Sequence, residues 1–219
     1  MREVRVKICG LTRVEDARHA AASGADYLGA ILTEGFGRSV APAFARGFAA
    51  AGGPPLVGVL VDAPVSDALL RARAAGAAIL QLHGDEAPDV LDGLRQEGLA
   101  VWKAIRPRSL EELRRSLDRY AQHADAVLLD GWHAELKGGA GARFDWEMVG
   151  RVREELPPEL LLVAAGGLTP ETVADAVAML RPDAVDVSSG VEGAPGRKDP
   201  GKVEAFIRAA RGGPVLKEA

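Results

Sequence analysis

An α/β, single-domain (β/α)8 TIM barrel is the fold class this sequence predicts, and three observations point to it. Short β-branched runs alternate with longer helical patterns eight times over. Most of those runs are almost continuously apolar, as parallel strands covered on both faces are. Polar residues gather at the ends of several runs, the strand ends where barrel active sites lie.

Strands are expected over 4–9, 27–32, 56–61, 78–83, 100–105, 126–130, 160–165 and 184–188. The helices that follow are expected over 13–23, 41–51, 66–75, 87–97, 109–123, 145–156, 170–180 and 200–211. Thr12 with Glu15 has the spacing of a capping box. Ser66, Ser109 and Asp145 are expected N-caps, and Thr169 precedes a proline suited to the first helical position. Gly24, Gly76 and Gly98 stand where a helix must reverse into the next strand. Leu110, Leu113, Leu117 and Tyr120 recur at helical spacing and should be core. No Gly-rich dinucleotide fingerprint follows the first strand, which argues against an open doubly wound sheet. The barrel should occupy residues 1–211, with 212–219 a frayed tail.

The 219 residues carry a net charge of −4, with 47% hydrophobic and 26% charged residues, as expected for one core of moderate size. That mild acidity gives no reason to expect nucleic acid or a membrane surface as partner. No run approaches the ~20 apolar residues of a membrane span, and the N-terminus lacks a signal pattern, so a cytoplasmic protein is expected. A single cysteine forms no intrachain disulfide framework, and the four histidines show no metal-ligand spacing, so no metal site is expected.

Because side chains alternate along a strand, Lys7 and Cys9 should face the barrel interior while Val6 and Ile8 meet the helices. Gln81 and His83, Leu128 and Asp130, and Asp186 and Ser188 should point inward likewise. A thiol (Cys9) and a carboxyl (Asp130) at the tips of two parallel strands have the makings of a proton-transfer pair. Taken alone, Cys9 reads as a small buried hydrophobe and Asp130 as a cap; strand-tip position favours chemistry for both. Lys7 and Asp186 should pair across the seam, since unpaired buried charge is costly. His83 is either a functional group or a core histidine. Gly166 and Gly167 after the seventh strand, with Ser189 and Gly190 after the eighth, occupy the habitual phosphate position of this fold. The Gly-rich segment 137–143 suits a lid or an ordinary connection.

Several segments together resemble the phosphoribosylanthranilate isomerases of tryptophan biosynthesis. They are Lys7-Ile8-Cys9-Gly10-Leu11-Thr12, Leu80-Gln81-Leu82-His83-Gly84, Leu128-Leu129-Asp130, Gly138-Gly139-Ala140-Gly141 with Phe144-Asp145-Trp146, Gly166-Gly167-Leu168, and Val185 through Glu192. The resemblance implies an Amadori rearrangement of N-(5-phosphoribosyl)anthranilate on a TIM barrel, with no cofactor. By motif position it implies Asp130 as general acid, Cys9 as general base and Arg38 as the holder of the anthranilate carboxylate. His83, Gly166, Gly167, Ser189 and Gly190 are the further candidates for substrate contact. Those roles require a protonated Asp130, which burial should favour, and a Cys9 thiolate, which Lys7 should favour. The partner is thus a phosphorylated small molecule, and the chain a monomer or homodimer. Segment 33–38 lacks the Pro and Ser the family often has before its arginine, Ala165 stands where Ser is common, and Ala140 replaces a hydroxyl residue. Indole-glycerol-phosphate synthase would require catalytic lysines and a glutamate at strand ends, and the histidine-pathway isomerase an aspartate in place of Cys9. A non-catalytic phosphate binder would leave the thiol–carboxyl pair unexplained.

Overall fold

The computed structural model describes residues 3–49, 53–131, 153 and 156–212. Eight parallel strands close in sequential order: β1 (Arg5–Ile8), β2 (Tyr27–Ile31), β3 (Leu56–Leu60), β4 (Ile79–Leu82), β5 (Ala100–Ile105), β6 (Ala126–Asp130), β7 (Leu161–Ala165) and β8 (Ala184–Val187). β1 pairs with β8 to shut the barrel, with Lys7 opposite Asp186. Each expected strand is present, although Cys9, His83 and Ser188 lie one residue past their strands.

Period-two alternation divides the apolar residues between two compartments. Val6, Ile8, Leu80, Leu82, Val127 and Leu129 pack outward against the helices. Tyr27, Val57, Ile79, Trp102, Ala126, Leu128 and Val163 fill the barrel's interior, where Tyr27 meets Trp102 edge to face at 5.0 Å. The expected inward set is therefore correct, and Lys7 does pair with Asp186, at 3.1 Å.

The helices are α1 (Val14–Ala22), α2 (Pro42–Ala45), α3 (Val65–Ala75), α4 (Pro88–Gln96), α5 (Leu110–Tyr120), α6 (Val173–Leu180) and α7 (Pro200–Ala210). The expected helix 145–156, its cap Asp145 and the Gly-rich segment 137–143 fall on or largely within 132–152 and 154–155, outside the described residues, as does most of the tail. Ser109 caps α5 as expected, accepting from Glu112 N at 3.1 Å, and Gly24, Gly76 and Gly98 all take positive φ at their helix ends.

Three caps differ. Thr12 donates to the Gly196 carbonyl instead of capping α1, whose N-cap position is Arg13. Ser66 lies inside α3, which begins after Pro64. The Thr172 hydroxyl bonds the Thr169 backbone and the Thr169 hydroxyl accepts the Glu171 N–H, holding a turn around Pro170 that delays α6 to Val173. Of the helix expected over 41–51, the described residues form α2 and a 3-10 turn, Arg46–Phe48, while 50 and 51 lie outside the described residues. Gly47 accounts for the end of α2 after Ala45, because glycine weakens a helix. A hairpin, β9 (Glu192–Ala194) with β10 (Arg197–Lys198), adds to the expected elements; five residues show no readable alternation.

At the N-terminal rim, Asp26, Asp125 and Asp183 immediately precede β2, β6 and β8. Each donates its backbone N–H to the previous strand and accepts an N–H from the same residue there: Val6 at 2.7 Å, Val101 at 2.7 Å and Leu162 at 2.8 Å. Backbone groups at the strand ends are thereby satisfied where the ladder stops.

Candidate active site

The opposite, C-terminal rim holds the polar residues. Cys9 follows β1 and is 6% exposed. Two glycines make room around it. A Cβ on Gly29 would come within 2.7 Å of the Cys9 Sγ, and one on Gly10 within 2.5 Å of Ser188 Oγ and 2.8 Å of Arg38 Cδ. Gly10 also takes φ +67, so the chain turns off β1 there at little cost. Burial pushes the Cys9 thiol up, Asp186 adds to this, and Lys7 and Lys198 oppose it without prevailing. Lys7 itself is penalised by burial, but Asp186 and Cys9 outweigh that and raise its pKa. The expectation that Lys7 yields a resting thiolate is corrected: Asp186 takes much of its charge, and desolvation wins.

Asp130 ends β6, one strand-tip away from β5 and its following residue, Arg106. His83 Nε2 lies 3.0 Å from Asp130 Oδ2, and Arg106 Nε donates to the same oxygen at 2.9 Å. The bond from His83, reinforced by Arg106 against the opposing effect of burial, holds the carboxyl at about 2. The expectation that burial keeps Asp130 protonated is therefore also corrected; two donors defeat desolvation. His83 bridges Gln81 Nε2, at 3.0 Å from Nδ1, to Asp130.

Arg38 reaches the same rim from the loop after β2. It makes a two-pronged pair with Glu192, both bonds 2.7 Å, and Lys198 Nζ bonds the same carboxylate at 3.0 Å and the Ser188 carbonyl at 3.0 Å. Arg38 and Lys198 outweigh the burial that would raise Glu192 and bring it to about 2, while burial lowers Lys198 despite Glu192. Asp16 of α1 accepts the Lys198 backbone N–H at 3.1 Å and so anchors the hairpin. Sequence reasoning missed Glu192, Lys198 and Arg106 as contributors. Glu192 closes the motif that begins at Val185, which was its available signal; the other two carry no periodic mark.

The two glycine segments lie side by side. Gly166 and Gly167 take φ +89 and +67. A Cβ on Gly190 would fall 1.9 Å from the Leu168 carbonyl oxygen, so only glycine lets the turn Ser189–Val191 rest against the loop after β7. Among the described residues there is no group of three or more His, Cys, Asp or Glu side chains placed to hold a metal ion, and no helix is long and apolar enough to cross a membrane.

A closed eight-stranded barrel with a thiol, a carboxyl, an arginine and paired glycine turns on its C-terminal rim has the architecture of a (β/α)8 enzyme. Residues 6–209 match the family model of N-(5'-phosphoribosyl)anthranilate (PRA) isomerase. The chain belongs to that family. It is 43% identical to the N-(5'-phosphoribosyl)anthranilate isomerase of Rubrobacter xylanophilus over 94% of this chain and 98% of that one. Among solved structures, a phosphoribosylanthranilate isomerase in complex with reduced 1-(o-carboxyphenylamino)-1-deoxyribulose 5-phosphate is 34% identical, with a TM-score of 0.83 over 95% of this chain and 99% of that one. Monomers generated from the dimeric enzyme of Thermotoga maritima are 35% identical, with a TM-score of 0.82 over 95% and 99%.

Proposed function

We propose that Cys9 and Asp130 are the base and acid with which this chain converts N-(5-phosphoribosyl)anthranilate into 1-(2-carboxyphenylamino)-1-deoxyribulose 5-phosphate. The chain is an isomerase of tryptophan biosynthesis, and the reaction is an internal redox shift. Asp130 protonates the furanose ring oxygen as its bond to C1′ breaks, leaving a Schiff base. Cys9 removes the C2′ proton, and the C2′ electron pair moves to give an enolamine. Protonation at C1′ and loss of the 2′-hydroxyl proton then yield the amino ketone. Arg38 holds the anthranilate carboxylate, and backbone N–H groups around Gly166, Gly167, Ser189 and Gly190 hold the phosphate. The working unit is a monomer or homodimer in the cytoplasm.

The supporting observation is the placement of Cys9 and Asp130 on one rim of a closed barrel, each at a strand tip. Their resting protonation is opposite to what the reaction uses, so substrate must reverse it. A sugar ring over Asp130 excludes water and displaces Arg106, whose side chain is 64% exposed; both effects raise the carboxyl pKa. Lys7 and Lys198 favour the thiolate at the other end.

Asp130→Asn keeps shape and binding but removes the proton, so kcat should fall by ~10² or more with KM little changed. Cys9→Ser, a weaker base of similar size, should lose kcat on the same scale. If either variant keeps its kcat, that residue is not the acid or base of the reaction.

A further inference from the structure

Gln81 on β4 is 1% exposed and lies between Lys7 and His83. Lys7 Nζ donates to Gln81 Oε1 at 2.9 Å, Gln81 Nε2 lies 3.0 Å from His83 Nδ1, and His83 Nε2 lies 3.0 Å from Asp130 Oδ2. A lysine ammonium has donors only, so the Gln81 oxygen must face Lys7 and its NH2 must face His83. An amide NH2 only donates, so His83 Nδ1 must offer its lone pair. The ring proton of the neutral imidazole then sits on Nε2, aimed at Asp130. The first member of the row thus fixes the direction of every bond in it.

We propose that Gln81 is a positioning residue for the acid: through it Lys7 fixes His83 as the neutral Nε2–H tautomer, which occupies Asp130 Oδ2 and leaves Oδ1 to carry the transferable proton. The proposal rests on the reading of Asp130 as the acid. Arg106 also donates to Oδ2, so among the described residues both hydrogen bonds to Asp130 converge on one oxygen. A second proton on His83 would require Nδ1–H to face the Gln81 NH2, which repels it. His83 therefore faces Asp130 as a donor through Nε2.

Lys7 is pinned at the far end by Asp186 of β8, at 3.1 Å, and by Cys9. The titratable and charged groups facing the row among the described residues are thus Asp186 and Cys9 at one end and Arg106 at the other. Base and acid share one buried framework that crosses the barrel from β1 to β6.

The test is ¹⁵N NMR of the histidine-labelled protein, with the His83 signals assigned by their loss in His83→Asn. Nδ1 should resonate as unprotonated and Nε2 as protonated at pH 7. An Nδ1–H tautomer or an imidazolium at pH 7 would overturn the proposal. Gln81→Glu supplies the complementary perturbation. Its carboxylate accepts from Lys7 and can only accept from His83, so Nδ1 must carry a proton and donate to it, and the ring loses the Nδ1-acceptor state. The Nδ1 signal of His83 should then be that of a protonated nitrogen at pH 7, and kcat should fall about tenfold or more with KM changed less than about threefold. A folded Gln81→Glu protein with the altered ring and an unchanged kcat would overturn the positioning role. Failure of the acid assignment itself looks different: Asp130→Asn would keep its kcat while the wild-type His83 spectrum remained as described.

Discussion

Replacing Glu192 by Gln removes the one carboxylate that holds Arg38 and Lys198 together. Glu192 accepts two bonds from Arg38 and one from Lys198, and its side chain is 6% exposed. Burial opposes its charge, but the two cations prevail and take its pKa from an ordinary 4.5 to about 2. At about 1.4 kcal/mol for each pKa unit that fall is worth about 3 kcal/mol, and the solvent that reaches Arg38 screens it to about 2 kcal/mol. Because the carboxyl is more acidic folded than unfolded, its contribution is present in full above pH 4.5 and disappears as the pH falls towards about 2. Lys198, already lowered by burial, sheds its proton more readily once Glu192 is gone, which limits the loss. Urea denaturation of both proteins should show Glu192→Gln less stable by about 2 kcal/mol at pH 7, with the gap narrowing as pH falls through 4 to 3. A gap of constant size at every pH would show a packing effect and refute the electrostatic reasoning. No gap at pH 7 would refute it too.

Three further outcomes are expected. Because Asp130 is ionised down to about 2 and Cys9 is held as a thiol, the acidic limb of kcat/KM belongs to Asp130 and the basic limb to Cys9. The profile should stay level from pH 7 to about 4, and an acidic limb near pH 6 would mean the free protein carries the thiolate. Inorganic phosphate should inhibit competitively, and Gly190→Ala, which drives a Cβ to 1.9 Å from the Leu168 carbonyl oxygen, should weaken that inhibition about tenfold; unchanged inhibition would move the anion site elsewhere. Ala78 precedes β4 and donates to the Leu56 carbonyl at 3.2 Å, the position held by an aspartate before β2, β6 and β8. Ala78→Asp should therefore accept the Leu56 N–H and stabilise the chain by about 1 kcal/mol in a denaturant titration; a loss of stability would refute the equivalence.

The strands were legible because parallel strands buried on both faces leave unbroken apolar runs, and period two then placed Lys7, Gln81, His83, Asp130 and Asp186 inside. Their charge states were not legible. Whether Asp130 is acid or carboxylate depends on His83, 47 positions away, and on Arg106, 24 away, the latter outside any motif. Thr12 shows the same limit: its spacing to Glu15 satisfies a local rule, yet a carbonyl 184 positions along the chain takes its hydroxyl. The hairpin that carries Lys198 is too short to leave a pattern, so its contribution to the rim became visible only once the chain was closed.

The aspartates at the N-terminal rim give the barrel a division of labour between its two ends. Three of the four odd–even strand pairs, β1–β2, β5–β6 and β7–β8, are latched by a reciprocal pair of bonds at the end opposite Cys9 and Asp130. The reciprocal bonds of each latch lie within one strand–helix–strand unit, and Arg211, Arg95 and Arg153 from elsewhere in the chain brace Asp26, Asp125 and Asp183 in turn. The upper loops can therefore be lengthened, shortened or exchanged for those of a relative while the staves below stay registered. A graft that keeps Asp26, Asp125 and Asp183 should fold with new loops in place, whereas the unlatched β3–β4 unit is where such a chimera should first come apart.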